Sequence, residues 1–129
     1  MRKDEVVRGP LGRVIVIDSI TQLAPDDEGA IVVSGSHGGA SSAEFALAVP
    51  LRLVCFNDAG VGKDDAGVAA LAMLQARGIA AATVAHTSAR IGDARDAWQH
   101  GVISRTNDAA HALGLRVGQS VRAAAERLT

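Results

Sequence analysis

The chain has 129 residues, enough for one domain with a hydrophobic core, and we expect residues 1–129 to form a single α/β domain. Its 13 Lys and Arg residues nearly balance its 14 Asp and Glu residues, so the net charge is −1 and no basic patch for nucleic acid is predicted. Aromatic residues make up only 2% of the chain, which also removes the base-stacking platform of single-strand binders.

The sequence favours a cytoplasmic protein that does not enter a membrane. Cys55 is the only cysteine and lies in an apolar run, so we interpret it as a small buried hydrophobe in a reducing compartment. The first eight residues are charged and lack the apolar core of a signal peptide. No apolar stretch approaches the roughly 20 residues that cross a bilayer.

The first 30 residues carry the weakest pattern. Residues 1–12 are predicted to be an irregular lead-in, and residues 14–17 a strand. The link over residues 21–29 is short for a parallel crossover. The first strand is therefore expected either to pair unusually or to be followed by a single helical turn around residues 20–23.

Strands and helices alternate regularly after that point. Strands are predicted at residues 30–33, 51–56, 79–85 and 102–104, and helices at 42–48, 64–77 and 92–100. Asp64 and Asp65 suit the start of the second helix, Asp93 caps the third, and Asn107 and Ser120 cap two short helices near the C-terminus. Continuous apolar strands between helices predict a three-layer α/β/α domain with a mainly parallel sheet, Rossmann-like or flavodoxin-like.

Three polar loops follow the predicted strands and carry most of the chemically useful side chains. We name them the glycine loop (residues 35–39), the second loop (residues 57–65) and the third loop (residues 86–93). Ligands of open parallel sheets bind beyond the carboxyl ends of the strands. We therefore expect the three loops to converge on one site.

The glycine loop contains three glycines in five residues, with His37 between them. Ser41 and Glu44 have the spacing of a capping box, which predicts a helix N-terminus directly behind the loop. Backbone N–H groups at such a place can hold a carboxylate, a phosphate or an oxyanion, with His37 as acid or base. The alternative interpretation is a tight turn with an exposed histidine.

The second loop contains a Gly-Lys pair, Gly62-Lys63, as nucleotide-binding P-loops do. However, Asn57 stands where a P-loop needs its first glycine, and Asp64 replaces the hydroxyl that would bind magnesium. The glycine spacing of dinucleotide-binding loops is absent too, so we reject both nucleotide interpretations. Asp58 is predicted to orient a histidine or accept a proton, with a turn-forming role as the alternative. Lys63 is a candidate to neutralise an anion, and the commoner alternative is a solvated lysine.

The third loop combines a cation, hydroxyls and a histidine. The guanidinium of Arg90 suits a carboxylate or phosphate, and Ser88 and Thr87 offer hydrogen-bond donors beside it. His86 comes directly after an apolar strand, where a purely structural histidine is the alternative.

A metal site is the main alternative chemistry. His37, His86 and Asp58 could bind a divalent metal as two histidines and one carboxylate. No short-spaced pair of ligands such as His-x-His or Cys-x-x-Cys supports this, so it is the less favoured hypothesis.

Together these features predict a small enzyme without an organic cofactor that performs acid–base chemistry of the hydrolase, lyase or isomerase type. Its ligand is expected to be a small anionic, carboxylate-bearing metabolite. The predicted catalytic residues are His37, His86 and Asp58. The predicted substrate-binding residues are Gly35, Ser36, Gly38, Gly39, Asn57, Lys63, Ser88 and Arg90.

Two further hypotheses remain open from the sequence. The same loops would serve a non-catalytic ligand-binding or regulatory subunit, or they would be buried in the assembly of a larger enzyme. A single domain of this size offers a shallow site, so we expect a homo-oligomer, or a small subunit of a hetero-oligomer, in which a neighbour completes the pocket.

Overall fold

The structure, a computed structural model, describes residues 1–129 and contains six strands and five helices. Three segments, Ile20–Gln22, Pro25–Asp27 and Lys63–Val68, form 3-10 turns. The strands are β1 Lys3–Arg8, β2 Arg13–Ile17, β3 Ile31–His37, β4 Leu53–Asn57, β5 Ala80–Val84 and β6 Ile103–Thr106. The helices are α1 Ala40–Leu47, α2 Ala69–Gln75, α3 Ala94–His100, α4 Asp108–Ala112 and α5 Val121–Glu126.

All six strands form one sheet in the order β1-β2-β3-β4-β5-β6. The four central strands are parallel, whereas β1 and β6 run antiparallel at the two edges. The predicted α/β domain with a mainly parallel sheet is confirmed. Because β3, β4 and β5 are parallel neighbours, their carboxyl ends lie at one edge of the sheet.

The sheet is covered on both faces. Along β2, Val14 and Val16 belong to one buried cluster with α3, α4 and α5, while Ile15 and Ile17 belong to a second cluster with α1 and α2. This alternation follows from the two-residue period of a strand, and it explains why the central strands are apolar throughout. Helices on both faces make the domain three-layered. None of the helices has the length and apolar character needed to span a bilayer.

The prediction that residues 1–12 are irregular is wrong. Residues 3–8 form β1, which pairs with β2 from Lys3 opposite Ile17 to Arg8 opposite Arg13. The glycine-rich segment that follows β1 is the turn of this hairpin. The charged side chains of β1 obscured the strand pattern in the sequence. Edge strands tolerate such charges, whereas central strands exclude them.

The link between β2 and β3 contains the helical turn that the sequence offered as one possibility. Ser19 caps the turn Ile20–Gln22, and β2 pairs with β3 in the ordinary parallel way. The helix caps predicted at Asp93, Asn107 and Ser120 are confirmed, since each side chain accepts a hydrogen bond from a backbone N–H of the first helical turn.

The predicted capping box of Ser41 and Glu44 is wrong. α1 begins already at Ala40, and Gly39 takes the N-cap position with an extended backbone and no side-chain hydrogen bond. Gly38, immediately before it, is held by backbone hydrogen bonds to two neighbouring segments, so the chain turns into the helix there. Glycine is an acceptable N-cap residue.

The prediction that Asp64 and Asp65 open the second helix is also wrong. Both have positive φ angles, 55° and 57°, and α2 begins only at Ala69. The second loop closes back on itself first, since the N–H of Gly67 donates to the carbonyl oxygen of Val61 at 2.6 Å.

Candidate functional site

The glycine loop and the second loop are joined at the end of the sheet. His37 is the register partner of Asn57, so β3 and β4 end side by side. The N–H of Gly38 donates to the Asn57 carbonyl at 2.9 Å, and the Gly38 carbonyl accepts from the N–H of Ala70 at 2.9 Å. A Cβ on Gly38 would lie 2.6 Å from the Gly67 carbonyl oxygen, so this close approach requires glycine.

The third loop is tied to the other two. The N–H of Gly92 donates to the carbonyl of Gly35 at 2.7 Å, and the side-chain amide of Asn57 donates to the carbonyl of Ala89 at 2.9 Å. Three loops distant in sequence therefore form one hydrogen-bonded rim. We call this rim the three-loop site.

Asp58 is the central carboxylate of the three-loop site and is 5% exposed. Its Oδ1 atom accepts three hydrogen bonds: from the N–H of Gly60 at 2.8 Å, from the N–H of His86 at 3.1 Å, and from Nδ1 of the His86 ring at 3.2 Å. Asp58 thus forms both the local turn and the contact with a histidine, the two roles that the sequence left as alternatives.

Ser104 is a member of the site that the sequence reasoning missed. Its hydroxyl lies 2.9 Å from the hydroxyl of buried Thr83, and it is near enough to the Asp58 carboxylate to help lower the pKa of that group. Ser104 sits where the pairing of β5 with β6 is irregular, a feature with no signal in a single sequence.

The environment of Asp58 favours its charged form. Burial is the largest single influence and opposes ionisation, but hydrogen bonds from Gly60 and His86, together with the nearby Ser104 hydroxyl, outweigh it, so the pKa of Asp58 lies below its ordinary value. A carboxylate that is ionised at neutral pH can only accept hydrogen bonds. Nδ1 of His86 therefore carries the proton in the contact with Asp58.

This contact fixes the tautomer and the orientation of His86. With the proton on Nδ1, the neutral ring has its lone pair on Nε2. The His86 side chain is 54% exposed, and its ring lies against Gly60, where a Cβ would come within 3.6 to 3.7 Å of the ring atoms. His86 is thus a solvent-accessible proton acceptor supported from behind by a buried carboxylate.

His37 has the opposite arrangement. The N–H of Gly39 donates to Nδ1 of the His37 ring at 3.1 Å, so Nδ1 holds the lone pair and Nε2 carries the proton of the neutral ring. The ring is exposed and folds over Gly39, where a Cβ would lie 2.5 Å from Cε1. The strands that precede the two histidine loops, β3 and β5, are separated by two strand spacings, about 10 Å.

Most of the predicted substrate-binding residues use their polar groups inside the protein. Asn57 bonds to Ala89 and Ala59, and the Ser88 hydroxyl bonds to Ala85 and Val102. The Ser36 hydroxyl accepts from Ile20, and the glycines at 35, 38 and 39 are buried. Ligand binding by these residues stays a prediction. Their hydrogen bonds within the protein build the rim of the three-loop site.

Lys63 and Arg90 are the exposed cations of the rim. Neither side chain takes part in an ion pair of the chain. The loop around Arg90 is fixed by its backbone, since its N–H donates to the carboxylate of Asp96 at 2.9 Å. Both cations are therefore unpaired within the chain, and anion binding by them stays a prediction.

The second loop has an unusual backbone. Ala59, Val61, Asp64 and Asp65 all have positive φ, between 51° and 67°. Positive φ is costly for non-glycine residues, above all for a β-branched one such as Val61. Strained backbone of this kind concentrates at functional sites, and here it lies in the loop that presents Asp58.

The three-loop site is open to solvent. The three cavities of the molecule include none of His37, Asp58, His86 or Arg90, although one of them is lined by Asp64 and Asp65 at the end of the second loop. No group of three or more His, Cys, Asp or Glu side chains is arranged to hold a metal ion. Of the three residues of the alternative metal site, Asp58 and His86 contact each other, and they do so through the hydrogen bond described above.

Cys55 lies beneath the site in β4 and is 2% exposed. Burial raises the pKa of its thiol to about 12, so the reactive thiolate is not formed at neutral pH. This agrees with the prediction of a buried hydrophobe.

Comparison of the chain with protein-family models, with curated proteins and with solved structures finds no match.

Proposed function

We propose that the chain is a small enzyme that performs acid–base chemistry on a small carboxylate-bearing metabolite, by hydrolysis, by hydration or elimination, or by isomerisation. The observation that carries this proposal is the opposite arrangement of the two histidines. Asp58 leaves His86 with a free Nε2 lone pair, and Gly39 leaves His37 with a free Nε2–H. A base and an acid are what each of these reactions needs.

In the proposed reaction, Nε2 of His86 takes a proton from the substrate or from water. The imidazolium that forms is stabilised by the ionised carboxylate of Asp58 behind it, as in catalytic triads. Nε2–H of His37 donates to the oxygen that develops negative charge or leaves. Arg90 and Lys63 hold the substrate carboxylate, which supplies orientation rather than chemistry.

The experiment that tests this proposal is turnover of a panel of small carboxylates, esters and hydroxy acids followed by proton NMR, with and without divalent cations. We expect the wild-type protein to convert at least one compound and His86→Ala to lose about 10²- to 10⁴-fold in rate. Arg90→Ala should mainly raise KM. His111→Gln is the matched control, because His111 is another exposed histidine on α4, outside the three-loop site.

The competing hypotheses give different results in the same assay. A ligand-binding or regulatory module binds a member of the panel without converting it, and His37→Ala leaves its affinity nearly intact. A metal-dependent enzyme, with the ion at His37, His86 and Asp58, is active only when a divalent cation is added. An assembly subunit shows neither binding nor turnover.

We further propose that a second chain completes the pocket, in a homo-oligomer or as part of a larger enzyme. The open rim supports this, because small-molecule sites normally bury most of their ligand. Analytical ultracentrifugation with and without a turned-over substrate tests it.

We also propose that the fold is Rossmann-like or flavodoxin-like and that the protein is cytoplasmic. The fold proposal is supported by the parallel central strands with helices on both faces. The sequential strand order departs from the orders typical of both groups, which reverse at a switch point. A cytoplasmic location is supported by the single reduced cysteine, Cys55.

A further inference from the structure

A groove of about 500 Å³ lies beside the three-loop site, between the start of α2 and the edge strand β6. Val68 and Leu71 form its apolar part on the α2 side, and Val117 contributes from the turn before α5. Val117 is 65% exposed, so most of its apolar side chain is uncovered. The volume is within the range of about 300 to 1,000 Å³ that small-molecule sites occupy.

The groove also contains charges of both signs. Arg105 lines it from β6, and Asp64 and Asp65 line it from the turn before α2. None of the three takes part in the six ion pairs of the chain, although Arg95 and Arg122 elsewhere do have carboxylate partners. The groove therefore offers an apolar surface, a free guanidinium and two free carboxylates to the same ligand.

We propose that this groove binds a small zwitterion with an apolar side chain, of the α-amino acid class. The carboxylate of the ligand would pair with the planar fork of Arg105, which suits carboxylates in a bidentate way. The ammonium group would face Asp64 and Asp65. The apolar side chain would lie against the edges of Val68 and Leu71, which are buried, and would cover the exposed side chain of Val117. A ligand with only one charge would pair either with Arg105 or with the two aspartates, and would leave the other side of the groove unpaired.

The proposal is tested by methyl NMR titration with three matched probes. L-leucine carries both charges, L-leucinamide lacks the carboxylate, and 4-methylpentanoate lacks the ammonium group. We expect leucine to shift the methyl signals of Val68, Leu71 and Val117, and each single-charge probe to bind at least about fivefold more weakly.

Two variants assign the charges. Arg105→Gln should weaken leucine and 4-methylpentanoate at least about fivefold and leave leucinamide unchanged. The double change of Asp64→Asn and Asp65→Asn should weaken leucine and leucinamide at least about fivefold and leave 4-methylpentanoate unchanged. Arg77→Gln removes an exposed arginine outside the groove and should change nothing.

Three results would overturn the proposal. The first is the absence of any leucine-induced shift at the groove methyls at millimolar concentration. The second is equal binding of leucine and 4-methylpentanoate. The third is unchanged binding of both compounds to Arg105→Gln. This test is independent of the proposed acid–base function. His86 is outside the groove, so His86→Ala should leave the leucine titration unchanged.

Discussion

The N–H of His86 and Nδ1 of its ring both donate to the same oxygen of Asp58, at 3.1 and 3.2 Å. Two hydrogen bonds from one residue to one oxygen fix the backbone and the ring of His86 together. The ring is therefore held at a fixed angle to the sheet edge, although its side chain is 54% exposed.

The first prediction concerns the tautomers of the two histidines. At a pH where both rings are neutral, we expect His86 to carry its proton on Nδ1, because Nδ1 donates to Asp58. We expect His37 to carry its proton on Nε2, because its Nδ1 accepts from the N–H of Gly39. Long-range proton–nitrogen correlation spectra distinguish the two forms. Asp58→Asn should weaken the preference at His86 and leave His37 unchanged. A wild-type His86 protonated on Nε2 would contradict the proposed role as base.

The second prediction concerns stability in acid. The folded pKa of Asp58 is below its unfolded value of about 3.9, so its contribution is present above that value and is lost as pH falls through the folded pKa. We expect Asp58→Asn to lower the free energy of unfolding by about 1 to 3 kcal/mol at neutral pH. The difference from wild type should shrink below about pH 4.

Urea unfolding between about pH 3 and pH 7 measures this difference. Asp26→Asn is the control, because Asp26 is exposed and forms no ion pair. It should change stability at neutral pH by less than about 0.5 kcal/mol. A pH-independent difference for Asp58→Asn would show that the carboxylate is not preferentially stabilised in the folded protein.

The contact between Asp58 and His86 was within reach of the sequence. Both residues follow apolar runs, and parallel neighbouring strands bring their carboxyl ends together. The Ser104 contact was not within reach, because it depends on an irregular pairing of an antiparallel edge strand. Strand ends can be predicted from hydrophobic pattern, whereas a local shift in register cannot.

The backbone of the second loop was unpredictable for a different reason. Acidic residues ahead of an apolar stripe are typical of a helix start, and Asp64 and Asp65 fit that pattern. In the structure both residues have positive φ, and they lie in a loop that closes on itself through the hydrogen bond from Gly67 to Val61, which the acidic pattern does not indicate. Likewise β1 was hidden because its charges are those of a solvated segment, and only pairing with β2 orders it.

The third prediction tests the junction of the glycine loop with the third loop. A Cβ on Gly35 would lie 2.7 Å from three backbone atoms, in Asp18, Gly92 and Asp93. Backbone cannot move aside as a side chain can, so we expect Gly35→Ala to destabilise the protein by about 3 kcal/mol. Urea unfolding with circular dichroism measures the change.

Gly12→Ala is the control for this prediction. The nearest atom to its Cβ would be a guanidinium nitrogen of Arg52 at 3.1 Å, at the end of a flexible side chain. We expect a loss below about 1 kcal/mol. Equal losses for both variants would mean that the close contact at Gly35 does not hold the loops together.

The last prediction concerns strain in the second loop. Ala59 is exposed and has a φ of 51°, a conformation that costs a residue with a Cβ about 1 to 2 kcal/mol. Glycine avoids this cost but loses about 0.5 to 1 kcal/mol more conformational entropy on folding. Ala59→Gly should therefore stabilise the protein by about 0.5 kcal/mol, measured by urea unfolding.

The same change at Ala123, exposed in helix α5, should destabilise it by about 1 kcal/mol. Destabilisation at both positions would show that the second loop relaxes away from positive φ at Ala59, and the turn that presents Asp58 to His86 would then be held by its hydrogen bonds alone.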